Sequence, residues 1–160
     1  MKKIFNHKTM KTNLFVLLLF LVSTSVQLLA QETDVFQKDG IAIRGYDPVA
    51  YFKQSKPVKG QETISHDWNG VKWLFSSEEN KEDFKANPEK FAPQFGGYCA
   101  YGLSENHKSP TEPEAFTIVD DKLYLNYNLK VKELWKKDIP GRIKKANDFW
   151  PALMSKTAKQ

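Results

Sequence analysis

The chain has 160 residues, with 24 Lys plus Arg against 19 Asp plus Glu for a formal net charge of +5, and a single cysteine. One cysteine excludes an internal disulfide framework and a dithiol redox motif. Four lysines and no acids fall within the first 30 residues, so the remainder carries only +1, too weak a basic balance to indicate a nucleic-acid-binding domain.

Those first 30 residues read as a secretory signal peptide. Lys2, Lys3, Lys8 and Lys11 precede an apolar run over residues 14–22, a more polar patch at 23–25, and Leu28-Leu29-Ala30-Gln31. The apolar run falls well short of the roughly 20 residues that a spanning helix needs. The reading predicts cleavage after Ala30, with Met10 as an alternative start, and a secreted or periplasmic protein with no stable membrane span. The mature part, residues 31–160, is the size of one domain with one core.

Along that part, Asp39-Gly40 between short apolar runs at 35–37 and 41–43 predicts a hairpin. Asp47 before Pro48 reads as an N-cap and first helical position, opening a single turn that carries Tyr51 and Phe52 inward. Residues 53–60 read as polar loop. Asn69-Gly70 between 65–68 and 71–75 is the clearest hairpin signal. Ser76 with Glu79 forms a capping-box pattern ahead of a helix over 77–86, and Asn87-Pro88 ends it and places Phe91 against the core. Residues 116–119 and 122–126 pair across Asp120-Asp121. Asn128 caps a helix bearing Val131, Leu134 and Trp135. Pro140 starts a last helix whose Ile139, Ile143, Ala146 and Trp150 share a face, and Pro151 stops it. Hairpins interspersed with short helices predict an α+β fold without a parallel sheet. The basic residues from Lys130 to Lys145 read as a solvated helix face, and no nucleic-acid partner is expected.

The chemistry is expected around Gly96-Gly97-Tyr98-Cys99-Ala100-Tyr101-Gly102. Two glycines followed by a thiol between aromatic rings suggest a site, and a short helix over 98–103 would place Cys99 in its first turn, where a thiolate is favoured. A buried packing cysteine is the alternative. His107 is the nearest imidazole in sequence. Tyr46, Asp47, Tyr51, Gly96, Gly97, Tyr98 and Tyr101 are candidates to line a common pocket.

Several runs resemble the exported YHS-domain proteins of bacteria: Gly45-Tyr46-Asp47-Pro48-Val49-Ala50-Tyr51-Phe52, Trp68-Asn69-Gly70, Asn87-Pro88-Glu89-Lys90-Phe91, and Gly96-Gly97-Tyr98-Cys99-Ala100. The later Leu123-Tyr124-Leu125-Asn126-Tyr127-Asn128 and Asp138-Ile139-Pro140-Gly141 fit the same family. The resemblance implies metal binding or metal handling, through cysteines near the hairpin and the helix after it. Those positions are Ser76 and Asn80 here, and the family histidine falls on Ser65 with His66 one residue later, so the inherited metal site is expected to be lost. What the resemblance leaves is Cys99, with a copper or zinc ion held by Cys99 and His107 as the leading expectation. A single-thiol redox protein or sensor and a noncatalytic interaction domain stand as alternatives. The partner is expected to be a metal ion or small molecule.

Overall fold

The structure, a computed structural model, describes residues 34–157, and the expected signal peptide lies outside them. Residues Gln31–Gln160 form one compact unit.

Turn chemistry sets the strands. Strands β1 (Gln37–Lys38) and β2 (Ile41–Ala42) turn at Asp39-Gly40, β3 (Gln61–Trp68) and β4 (Val71–Phe75) at Asn69-Gly70, and β5 (Glu112–Val119) and β6 (Lys122–Asn126) at Asp120-Asp121. All six turn residues have positive φ, from 49° at Asp120 to 78° at Gly40, the twist that lets a two-residue turn match its flanking strands. Residues 61–64 extend β3 beyond the expected start, and its pairing with β4 shifts register between Gln61 and Ser65. The four-stranded sheet, in order β1-β2-β4-β3, is mixed, because Ile41 of β2 pairs in parallel with Lys72 of β4. Hairpin signals are local, whereas this pairing joins two hairpins through a crossover. The β5–β6 pair stands as a second sheet.

Helix α1 (Pro48–Gln54) is capped by Asp47 as expected, but makes two turns and takes in residues 53 and 54. Helix α2 (Glu78–Ala86) uses Ser77 as its N-cap, the hydroxyl accepting from the Asn80 N–H at 3.2 Å. The Ser76–Glu79 capping box is therefore not formed, because Ser76 is turned to Asp47 at 2.6 Å. Asn87 then caps the short α3 (Pro88–Phe91), α4 covers Ala100–Ser104, and α5 (Leu129–Lys136) is capped by Asn128. Helix α6 (Ile139–Thr157) begins one residue before Pro140 and does not stop at Pro151. Proline removes only one i→i−4 bond and crowds the preceding turn. Beyond it Leu153 is buried in the core, and that burial offsets the local cost.

Two apolar clusters hold these elements. The first gathers Tyr51, Trp73, Phe75, Phe84 and Phe91 with Leu123 and Leu125. The second gathers Phe95, Leu103, Tyr124, Trp135, Ala146 and Leu153, with Trp150 packed against it. Strand β6 serves both, since its alternation sends Leu123 and Leu125 to one face and Tyr124 to the other. The architecture is α+β in a single small domain.

Candidate functional site

The glycine pair is required by close packing. Gly96 and Gly97 have φ of 60° and 84°, and a Cβ on Gly96 would lie 1.8 Å from the Asp34 carbonyl oxygen, while one on Gly97 would lie 2.7 Å from Ile43 Cγ2. The backbone threads between the N-terminal segment and the first cluster, against Val35, Ile43 and Leu125. It is tied down by the Phe36 N–H donating to the Gly96 carbonyl at 2.8 Å and the Thr111 hydroxyl to the Gly97 carbonyl at 2.9 Å.

This path delivers Cys99 to the N-cap of α4, one position before the expected first turn. Its Sγ accepts from the N–H groups of Gly102 and Tyr127, both at 3.3 Å, and lies 3.8 Å from Asn126 Oδ1, which also accepts the Tyr101 N–H at 3.1 Å. The residue is 1% exposed. Burial pushes the thiol pKa up, and the N–H groups of Gly102, Tyr127 and Tyr101 oppose that shift without cancelling it. The net arrangement suits a neutral thiol that donates to the Asn126 carbonyl and accepts two N–H groups, joining α4 to the end of β6. Asn126 is itself fully buried, and its Nδ2 has no partner among the described residues. The only sign of its role in the sequence is an asparagine ending a buried strand.

Other candidates are dispersed. His107 is exposed, its N–H bonds the Gly102 carbonyl at 3.0 Å, and its Nε2 approaches Gly102 closely enough that a Cβ there would lie at 3.2 Å. His107 and Cys99 thus both adjoin Gly102. Tyr98 is half-buried, its ring 6.4 Å from that of Trp150. The Tyr101 ring is covered by the Arg142 guanidinium at 4.3 Å, and Arg142 also reaches Ser104 at 3.0 Å and Glu105. Arg142 is thus no part of a solvated face, and clamps α6 to α4. Tyr46 lines an open cleft of about 570 Å³ with Arg44, Lys59 and Glu62, whereas Gly96 lines a second of about 550 Å³ with Trp68, Trp73 and Trp150. Tyr51 is buried, its hydroxyl donating to the Pro113 carbonyl at 3.2 Å and its pKa raised by burial and then by Glu114, Tyr46 and Asp47. The expected pocket residues are therefore divided between two clefts and the core.

Asp47 does more than cap α1. Its Oδ1 accepts the N–H groups of Val49 and Ala50 at 2.9 and 3.2 Å. Its Oδ2 accepts the Ser76 N–H at 2.8 Å, the Ser76 hydroxyl at 2.6 Å and the Asn80 amide at 2.7 Å. Ser76 and Asn80, where the family resemblance places metal-binding cysteines, thus converge on one buried carboxylate, with 3.3 Å between Ser76 Oγ and Asn80 Nδ2. Hydrogen bonds to Asp47 thus join the start of α1, the end of β4 and α2. Nor do the donors suit a four-ligand zinc site elsewhere: among the described residues no three His, Cys, Asp or Glu side chains come together.

Against known proteins, the family model of the YHS domain matches residues 49–95. The match spans α1 to α3 and includes Ser76 and Asn80, while Cys99 and His107 lie beyond its end. No curated protein and no solved structure matches the chain.

Proposed function

The chain carries a YHS domain over residues 49–95, and from that premise we propose that it is a noncatalytic binding module of the cell envelope in which Cys99 is a structural thiol. The observation that carries this reading is the sulfur itself, buried to 1% exposure with two N–H donors and one acceptor around it. A nucleophile or redox thiol needs exposure and a lowered pKa, and burial here drives the pKa the other way. Placement in the envelope rests on the signal-peptide pattern of residues 1–30. The test is alkylation of the native protein at neutral pH. Labelling confined to unfolded protein supports the module, and labelling of native protein as fast as a free thiol overturns it.

The competing proposal is a copper or zinc ion handled at Cys99 and His107, favoured by the approach of both residues to Gly102. It requires the sulfur to give up its present partners and a further donor to join. Metal content of the purified protein beside its Cys99→Ser variant decides. About one ion per chain that disappears in the variant supports it, and equal content in both removes that site.

A further inference from the structure

The charge of the chain is strongly divided. Residues 31–127 carry eleven Lys and Arg against sixteen Asp and Glu, whereas residues 128–148 carry seven against three. Arg142 is occupied by Glu105, Lys136 by Glu133 at 3.1 Å, and Lys144 by Asp148 at 2.9 Å. Lys130 and Lys137 are exposed and make no ion pair among the described residues. In the same place the apolar pattern is inverted. The large hydrophobic side chains that stand exposed among the described residues are Tyr127 at 49%, Leu129 at 56% and Leu134 at 37%, all within one eight-residue stretch. Trp135 anchors the inner side of α5, and the helical period puts Lys130, Glu133 and Lys137 on the opposite side, with Leu129 and Leu134 on its two flanks and Glu133 taken up by Lys136.

A solvated charged face needs no leucines, and a core-facing helix would bury them. We propose that the outer side of α5, with Tyr127 at the end of β6, docks the domain on an anionic lipid surface. Leucines and a tyrosine enter the headgroup boundary while unpaired lysines meet the phosphates, the composition that interfacial helices use. A lipid surface fits better than an acidic protein, because exposed leucines and a tyrosine stand beside lysines that have no ion partner among the described residues, and neither of the two clefts described above is lined by α5. The surface acts independently of Cys99, which lies buried behind it. It calls for no membrane span, and among the described residues no helix is long and apolar enough to make one.

Co-sedimentation tests this, using the full chain and the Gln31–Gln160 unit that holds every described element. The vesicles are phosphatidylcholine alone and phosphatidylcholine mixed with phosphatidylglycerol. The unit is expected to sediment with the mixed vesicles and to be released by high salt. With a lysine at the surface worth about fivefold in partitioning, K130E/K137E should weaken it by at least about 25-fold. L129S/L134S should weaken it with the salt dependence kept. Both variants change exposed side chains, and an unchanged melting temperature confirms that they fold. No binding, equal binding to neutral vesicles, or binding that both variants leave intact overturns the proposal. Retention of the unit on polyglutamate without retention on vesicles overturns it in favour of an acidic protein partner.

Discussion

Replacing Cys99 by alanine removes the acceptor shared by the Gly102 and Tyr127 N–H groups and opens a small cavity at the start of α4. Each buried N–H left unpaired costs about 1–3 kcal/mol, so Cys99→Ala should lower stability by roughly 2 kcal/mol or more, and Cys99→Ser, which keeps an acceptor, by less. Urea midpoints of the two variants check the order. The same thiol sets a pH dependence. Below the ordinary thiol value of about 8.5 it is protonated in both states and adds no slope. Above that value the unfolded chain loses its proton first, while burial keeps the folded thiol protonated. The unfolded state then binds fewer protons, so stability falls as pH rises. Tyr51 and Tyr124, both raised by burial, should steepen the fall above about pH 10. In Cys99→Ala the decline should begin only at the tyrosine range; a decline beginning at the same pH as in the parent would assign the first step to another group.

At the start of α2 two adjacent serines have different roles: the N-cap is Ser77, where the sequence pattern points to Ser76. Ser77→Ala removes an N-cap and should cost about 1 kcal/mol. Ser76→Ala leaves the cap intact and withdraws a hydroxyl from the buried Asp47 carboxylate. Asp47→Ala strands the Asn80 amide, the Ser76 N–H and the α1 N-terminus together, and should cost on the order of 3 kcal/mol or more. Chemical denaturation of the three variants should rank Asp47→Ala as the most destabilised, and parity with Ser77→Ala would reduce Asp47 to an ordinary cap. Element by element, what could be read from the sequence was local. Asn69-Gly70, Asp120-Asp121, Asp47-Pro48 and Asn128 each act within a few residues, and each places its turn or helix. In Ser76-Ser77 either hydroxyl can cap a helix and Glu79 points to Ser76, but Asp47, 29 positions before it, takes Ser76 and leaves the cap to Ser77. Pro151 misled for the same reason, since a local stop signal is overridden by burial of Leu153 against residues far away in the chain. At the candidate site the Gly-Gly-x-Cys run marked the right turn, but the Asn126 contact that defines the thiol is separated from it by 27 positions.

At the scale of the molecule, the YHS match and the fold do not coincide. Residues 49–95 supply Tyr51, Trp73, Phe75, Phe84 and Phe91 to the first cluster, but Ala42, Ile43, Leu123 and Leu125 complete it from outside. Strand β2, which borders β4 in the sheet, also lies outside. Cut free, the matched stretch would expose the β4 edge and one wall of its core, and chains that short rarely bury enough apolar surface to fold without such support. The β5–β6 hairpin is thus an integral wall, and the second cluster, with α4 to α6 and Cys99, is built on the other side of that wall. A fragment of residues 49–95 should therefore show no cooperative thermal transition by circular dichroism. The Gln31–Gln160 unit should melt cooperatively. Trp150→Ala in that unit should loosen the second cluster by about 3 kcal/mol, because the indole packs against the Phe95 ring at 5.9 Å and the Tyr98 ring at 6.4 Å. Loosening on that side should raise alkylation of Cys99 in the native state. A fragment that melts cooperatively, or a Trp150→Ala unit whose thiol stays as protected as the parent's, would instead make the two clusters independent and the hairpin dispensable to the matched domain.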